Sequence, residues 1–440
     1  MDATQKSIYD EVILESNDQS RSIDLSAGAV AFEYFEDIFS PVITARLKVI
    51  NTADSIEKDG VMQSIYNGLP LRGGERLSLR LKANTASNID LDFASRIEDY
   101  FYVSSVSDVI KEQDGESFTL QLVSREAISN EMTRVSKKYP KGKSVSEHVK
   151  TILTEVLQTN KIGKIDATSN HYGFIGNMRK PFTVLTWLAS KGVPSTSKDG
   201  TAGFLFYQTK DGFNFRSIDE LNKQEAVAAY VYSEVNEAYT SDGQKKNNDF
   251  KILDYFVERN SDLLTKLRLG TYASQRVYFN PLDFSFTSLQ QGLFKQSDYI
   301  KETENLGDRL QLPKMSEGSD KTLGDYPSRM IVQVLDVGTM EKGVTTEENS
   351  DPTKYQSQSL MRYNTLLTQR LQMTVALNTN LKAGDLIDCN FPRSTSSDES
   401  EFDAETSGLY MIKELCHHFN TTSSYTSLKL VRDSYGPKKK

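Results

Sequence analysis

Cysteine, histidine, tryptophan and long apolar runs are all scarce in this 440-residue chain, and each scarcity removes a class of answer. Two cysteines, Cys389 and Cys416, supply no disulfide framework. Four histidines leave little material for zinc, which takes about four ligands in tetrahedral reach. No apolar run approaches the roughly 18–20 residues that a membrane helix needs. The opening stretch MDATQKSIYDEVILESNDQS is polar and has no apolar core of a secretion signal. A basic excess is missing as well. The net charge is −8, so phosphate recognition by the chain as a whole is not expected. Neither GxSxG nor HExxH occurs, and Gly73-Gly74 precedes a strand pattern rather than a helix, so it makes a turn and no phosphate loop. The expectation is a chain that matures in a reducing cytoplasm, inserts in no membrane and uses no cofactor.

What is present points to strands. Tyrosine and phenylalanine number 21 each, and such rings pack well on pleated surfaces. The length suits about two to four domains. SPVITARLKVINT (40–52) is rich in β-branched residues, and GGERLSLRLKA (73–83) alternates with Leu77, Leu79 and Leu81 on one face. Residues 100–126 read as two strands joined around Asp114-Gly115. The period then changes. SVSEHVKTILTEVLQT (144–159) spaces Val149, Ile152, Leu153, Val156 and Leu157 as a helix does, with a cap at Ser144 or Ser146. PFTVLTWLASKG (181–192) is a second helix with proline in its first turn, and 203–221 a hairpin across Lys210-Asp211-Gly212. Strand character returns at 249–260 and 267–286, and again from 365 to 434. The polar stretch 291–364 reads as connector.

An internal repeat organises these elements. GERLSLRL at 74–81 matches GDLIDCNF at 384–391, an offset of 310. YVSSV at 102–106 matches MIKEL at 411–415 with offset 309, and TLQLV at 119–123 matches SLKLV at 427–431 with offset 308. INT at 50–52 echoes LNT at 377–379. The fold class expected is mainly β, with two similar antiparallel β-barrel domains and a mixed helical and hairpin domain between them. The boundaries are 1–125 for the first barrel, 126–235 for the middle domain, and 236–290 with 365–436 for the second barrel. Residues 291–364 form an insertion and 437–440 a basic tail.

Few residues invite a chemical reading. In Cys416-His417-His418 neighbouring side chains alternate across a strand, so Cys416 and His418 share a face and His417 points away. With Cys389 this makes at most three ligands and lacks CxxC or HxxxH spacing. Ordinary strand residues are expected here, with no catalytic, cofactor or metal site. His148 is placed on the surface of its helix and His171 in the loop SNHYGF. The acids Asp398, Glu399, Glu401, Asp403 and Glu405 lie in a serine-rich stretch that reads as a solvated loop. They are the only cluster that could suggest glycoside hydrolysis. The terminal Pro437-Lys438-Lys439-Lys440 reads as a solvated basic tail, with docking on an acidic neighbour as its alternative.

SGLYMIKELCHHFNTTSSYTSLKLVRDS (407–434) resembles the closing hairpin of the baseplate central hub proteins of contractile-tailed bacteriophages. GFLFYQTKDGFNFRSIDEL (203–221) resembles a hairpin of their middle domain. LRLGTYASQRVYFNPLDFSF (267–286) resembles the approach to their second barrel, and residues 118–153 the exit from their first. The resemblance implies a structural, non-enzymatic virion protein assembled in the host cytoplasm. It implies a homotrimer whose barrels form a pseudo-sixfold ring between a hexameric tail tube and a trimeric central spike. Implied partners are the spike, the tube or a tube-initiator protein, the tape measure protein and other baseplate proteins, with DNA only in transit. An acidic lumen would spare that DNA phosphate contacts, with Glu75, Asp385 and the acids of 398–405 as the residues to examine. The alternatives are a tail-associated cell-wall hydrolase and the hub part of a type VI secretion or pyocin-like spike.

Overall fold

The computed structural model describes residues 4–52, 56–58, 60–112, 115–195, 201–232, 249–259, 261–299, 303–337, 348–350, 352–393 and 402–436. The turn residue Asp114, the acids Asp398, Glu399 and Glu401, and the tail 437–440 lie outside them.

Six strands build the first barrel-like unit: β1 (Ile8–Glu15), β2 (Ala29–Asp37), β3 (Thr44–Asn51), β4 (Arg76–Lys82), β5 (Phe101–Lys111) and β6 (Glu116–Ser124). They pair in the order β1-β4-β5-β6-β3-β2. Alternation decides which face is buried: Leu77, Leu79 and Leu81 of β4 point inward beside Leu47 and Val49 of β3 and Leu120 of β6.

The middle domain carries α1 (Val145–Thr151), β7 (Ile162–Ile165), α2 (Pro181–Ala189), β8 (Phe204–Thr209) and β9 (Gly212–Ser217). Ser144 caps α1, reciprocated by Glu147. The helix runs on as a π turn over Ile152–Val156. Its apolar face meets α2 and the hairpin β8–β9, where Phe204 stacks on Phe215 and Phe206 on Phe213.

The remaining elements are β10 (Ala226–Tyr232), β11 (Lys251–Arg259), β12 (Ala273–Phe279), β13 (Leu293–Lys295), β14 (Arg329–Val334), α3 (Pro352–Leu366), β15 (Gln369–Ala376), β16 (Leu386–Asn390), β17 (Gly408–Asn420) and β18 (Ser424–Arg432). Here β17-β16-β10-β11-β15-β18 form a six-stranded barrel that closes when β18 pairs back on β17. Two strands depart from the expected layout. β12 does not lead into this barrel; it sits in a separate sheet between β13 and β14. β10, assigned above to the middle domain, pairs with β16 as a barrel strand. The polar stretch 291–364 also holds more than connector, since it contains β13, β14 and all but the last two residues of the fifteen-residue helix α3.

Hydrogen bonding verifies the repeat rung by rung. Gly74 N donates to Val103 O (2.7 Å) and Val103 N to Glu75 O (2.9 Å). In the second copy Gly384 N donates to Ile412 O (2.9 Å) and Ile412 N to Asp385 O (2.9 Å). Both turns place a glycine at positive φ, Gly74 at 99° and Gly384 at 90°. The bulges recur as well. β2 slips against β3 between Ala29 and Ala31, and β11 slips against β15 between Ile252 and Asp254. One sequence match is out of register. Ser117 faces Ile50 whereas its equivalent Tyr425 faces Ala376, so Ile50 corresponds to Ala376 and not to Leu377. A one-residue slip would exchange the inner and outer faces.

Candidate functional site: the joint between the barrels

Both barrels belong to one fourteen-stranded sheet, and β17 is the strand they share. Its first residues pair with β16, Met411 opposite Leu386. From Glu414 to Asn420 the same edge pairs with β2, Asp37 to Ala31. The closing hairpin therefore reaches out of its own barrel into the first. Its tip touches the start of the chain. Ser424 N donates to Thr4 O (3.0 Å), Tyr9 Oη donates to Phe419 O (2.8 Å), and Ser7 and Ser424 hydroxyls lie 3.3 Å apart. The seam that β1 and β2 leave in the first barrel is filled by residues near position 420. Side chains from both barrels merge into one apolar core, Phe32 and Leu47 with Leu415 and Phe419.

This placement gives Cys416-His417-His418 its meaning. His417 is 1% exposed, bonded through Nδ1 to Thr426 Oγ1 (3.0 Å) and stacked on Tyr34. Burial, helped by the Lys210 charge, pushes its pKa down to about 3. His418 lies on the other face, stacked on Tyr425, with Nδ1 3.3 Å from Glu33. Burial lowers its pKa, against the pull of Glu33. Cys416 stands opposite Phe35 and Ser427, and burial pushes its thiol well above the ordinary range. Cys389 stands opposite Gly408, on the order of 25 Å away along the same strand, and touches Met373. Among the described residues no group of three His, Cys, Asp or Glu side chains is placed to hold a metal ion.

The residue that knits three parts together is Glu36. It sits on β2 and is 1% exposed. One carboxylate oxygen accepts from Lys210 N of the middle hairpin (2.7 Å) and from Tyr34 Oη (2.8 Å). The other accepts from Ala383 N in the turn before β16 (2.8 Å). Burial lifts its pKa to about 7, although all three donors favour the charged form. Around it Lys382 pairs with Asp211 (2.7 Å) and Lys413 with Asp37 (2.9 Å), while the Lys210 ammonium donates to Thr379 O. Thr379 and Asn380 also hold the 87–89 loop of the first unit: Thr379 Oγ1 donates to Ile89 O (2.7 Å) and Asn380 Nδ2 to Ser87 O (2.8 Å). No sequence motif marks Glu36. Its only signal is an acid at an inward position of an alternating strand.

A second buried charge cluster fastens α3. Arg362, 1% exposed, reaches Asp219 (2.9 Å) and Asp433 (3.5 Å). Asp433 also accepts from Leu306 N (3.0 Å) and Asn222 Nδ2 (2.9 Å).

The other marked residues serve local structure. His148 is buried, contrary to its expected surface position; Nε2 lies 2.8 Å from Tyr172 O and the ring packs edge-on to Tyr139 and Phe174. It shares a helix face with Val145, Val149 and Ile152, which is why it points inward. His171 is exposed. Glu75 is 1% exposed and accepts from Arg72 N (2.7 Å) and Gly73 N (3.0 Å), so it organises a turn. Asp385 repeats that role by accepting from Lys382 N (2.9 Å). Asp403 accepts from Glu405 N (3.0 Å) and Thr406 Oγ1 (2.6 Å) within its own loop.

No family model matches the chain. Over 300 residues, 67% of this chain and 67% of the relative, it is 23% identical to the probable baseplate hub protein gp334 of Vibrio phage KVP40. In fold it matches the tail protein from Neisseria meningitidis MC58 at a TM-score of 0.53, with 11% identity over 97% of both chains. It matches the 43 kDa tail protein of prophage MuSo2 from Shewanella oneidensis at 0.52, with 9% identity over 97% of this chain and 100% of that one. Sequence and fold thus agree with the resemblance its hairpins carry: the chain is similar to a baseplate hub protein and has the fold of phage tail proteins.

Proposed function

We propose that the chain is the structural hub of a contractile-tail baseplate. It acts as a homotrimer whose paired barrels form a six-lobed ring. That ring continues a hexameric tail tube on one side, seats a trimeric central spike on the other and lets DNA pass. Further partners are a tube-initiator protein, the tape measure protein and other baseplate proteins. Its place is the virion tail, after assembly in the host cytoplasm. The observation that carries this reading is the duplicated barrel joined through one shared strand. Two near-equivalent units per chain are the simplest way to match sixfold to threefold symmetry. The buried polar groups described above are engaged in joining segments, which suits an architectural role and not an enzymatic one. Mass measurement and negative-stain microscopy of the purified protein test it. A trimer with six lobes around a threefold body is expected; a monomer at high concentration overturns the reading. Lysis of peptidoglycan by the purified protein would instead favour a tail-associated hydrolase.

A further inference from the structure

The hairpin β8–β9 is buried along both strands. Its ladder sets Tyr207 opposite Asn214 and Leu205 opposite Arg216. Alternation therefore puts Phe204, Phe206, Phe213 and Phe215 on one face, in the core of the middle domain, and Tyr207, Asn214 and Arg216 on the other. That second face is polar and is not filled. With β7 and the turn before β16 it lines a cavity of about 360 Å3. Glycine keeps two of the walls bare. A Cβ at Gly163 would come within 2.7 Å of Asn214 Oδ1, and one at Gly384 would collide with the Tyr207 hydroxyl.

Two donors on this face have nothing to bond. Arg216 is 5% exposed and gives Nε to Asp166 Oδ2 (3.0 Å), while its two terminal amino groups have no acceptor among the described residues. Tyr207 is 2% exposed, and its hydroxyl has no hydrogen-bond partner among them either. Asn214 differs, being saturated by Thr209 Oγ1, Gly212 O and Lys164 N. Buried donors without acceptors are costly and rare. A guanidinium pinned through Nε presents its terminal pair as a fork that fits two oxygens of a carboxylate or phosphate. Lys164, exposed on the same lining, adds a second cation. The neighbouring acids are engaged: Asp166 with Arg216, Asp211 with Lys382 (2.7 Å) and Asp385 with Lys382 N (2.9 Å). Burial also raises the Asp385 pKa, which weakens its opposition to an anion.

We propose that this cavity binds an oxyanion, a carboxylate or phosphate group, held by the Arg216 fork, the Tyr207 hydroxyl and Lys164. The turn that Glu36 grips through Ala383 N forms another of its walls, so the bound group staples the middle domain to the second barrel. A free small anion and an acidic side chain of a partner chain present the same chemistry. The site is built within one chain and does not depend on the trimer reading.

Titration of the purified full chain tests this. Inorganic phosphate and, separately, a hexaglutamate peptide are compared with sodium chloride at matched ionic strength, by calorimetry and by the rise in melting temperature. Saturable binding of phosphate marks a free anion as the occupant; binding of the peptide alone marks a carboxylate of a partner. In either case Tyr207→Phe is expected to weaken binding roughly tenfold or more while folding as stably as the native chain, since the hydroxyl it loses has no partner. Lys164→Ala removes only the exposed cation of the lining and is expected to weaken binding several-fold. Lys150→Ala, at an exposed lysine off the lining, is expected to change nothing. Arg216 is not the residue to replace, because its loss strands buried Asp166. No saturable response to either probe overturns the proposal, as does a response that neither Tyr207→Phe nor Lys164→Ala moves.

Discussion

Replacing Glu36 by glutamine removes a titrating carboxyl at the meeting point of three chain segments while keeping its shape. The carboxyl has an ordinary pKa of 4.5 when unfolded and about 7 in the folded protein. Below 4.5 both states hold the proton and above 7 neither does. Between those values the folded state holds one proton more, so the contribution of Glu36 to stability falls as pH rises. At about 1.36 kcal/mol for each unit, the whole change is on the order of 3 kcal/mol. Glutamine cannot titrate, so its effect is constant with pH. It also presents an NH2 where one oxygen accepted from Lys210 N and Tyr34, or the other from Ala383 N, at a cost of about 1–3 kcal/mol. Glu36→Gln is therefore expected to be clearly less stable than the native chain near pH 4.5 and to close that gap, or reverse it, by pH 7.5. Urea unfolding followed by circular dichroism at pH values from 4.5 to 8 measures it. A stability difference flat across that range would refute the reasoning, because it would mean that Glu36 keeps the same charge in folded and unfolded chains.

Further outcomes follow from the same geometry. Arg362→Leu leaves Asp219 and Asp433 buried without their cation and is expected to destabilise by about 3–5 kcal/mol, read from denaturant midpoints. With only four histidines in the chain, NMR can follow each ring; His417 is expected to stay neutral down to about pH 4, and titration near 6 would place it outside the joint. Gly384→Ala combines a positive φ with a Cβ that would collide with the Tyr207 hydroxyl, so it is expected to lower the melting temperature more than Gly60→Ala, where φ is also positive but no atom lies within 4 Å.

The duplication was legible because alternating leucines and the Gly-acid turn survive in both copies, and the offsets of 310, 309 and 308 fall on equivalent hydrogen bonds. The INT echo misled by one residue because short polar triplets carry no face information, whereas the ladders do. Helix α3 was hidden by its polar composition. PTKYQSQSLMRYNTL reads as connector, yet Met361, Leu366 and the stem of Arg362 are buried. The joint itself could not be read. Glu36, Lys210 and Ala383 are separated by more than a hundred residues each, and nothing local distinguishes an acid that meets three donors from one that meets water. The same limit applies to Cys416-His417-His418. Strand alternation sorted the three onto opposite faces, but only the pairing of β17 with β2 makes the His417 face an interior.

The seam filled by the closing hairpin also sets an order of events during synthesis. Asp37 pairs with Glu414, so the first unit waits for 377 further residues before its open edge is covered. At roughly 5–20 residues per second, that is about 20–75 s in which β2 presents bare backbone groups to the cell. The N-terminal half emerges first and is completed last. A nascent chain of this kind is most exposed to misassociation just before the β17–β18 hairpin leaves the ribosome, and that hairpin terminates the vulnerability by occupying the edge itself.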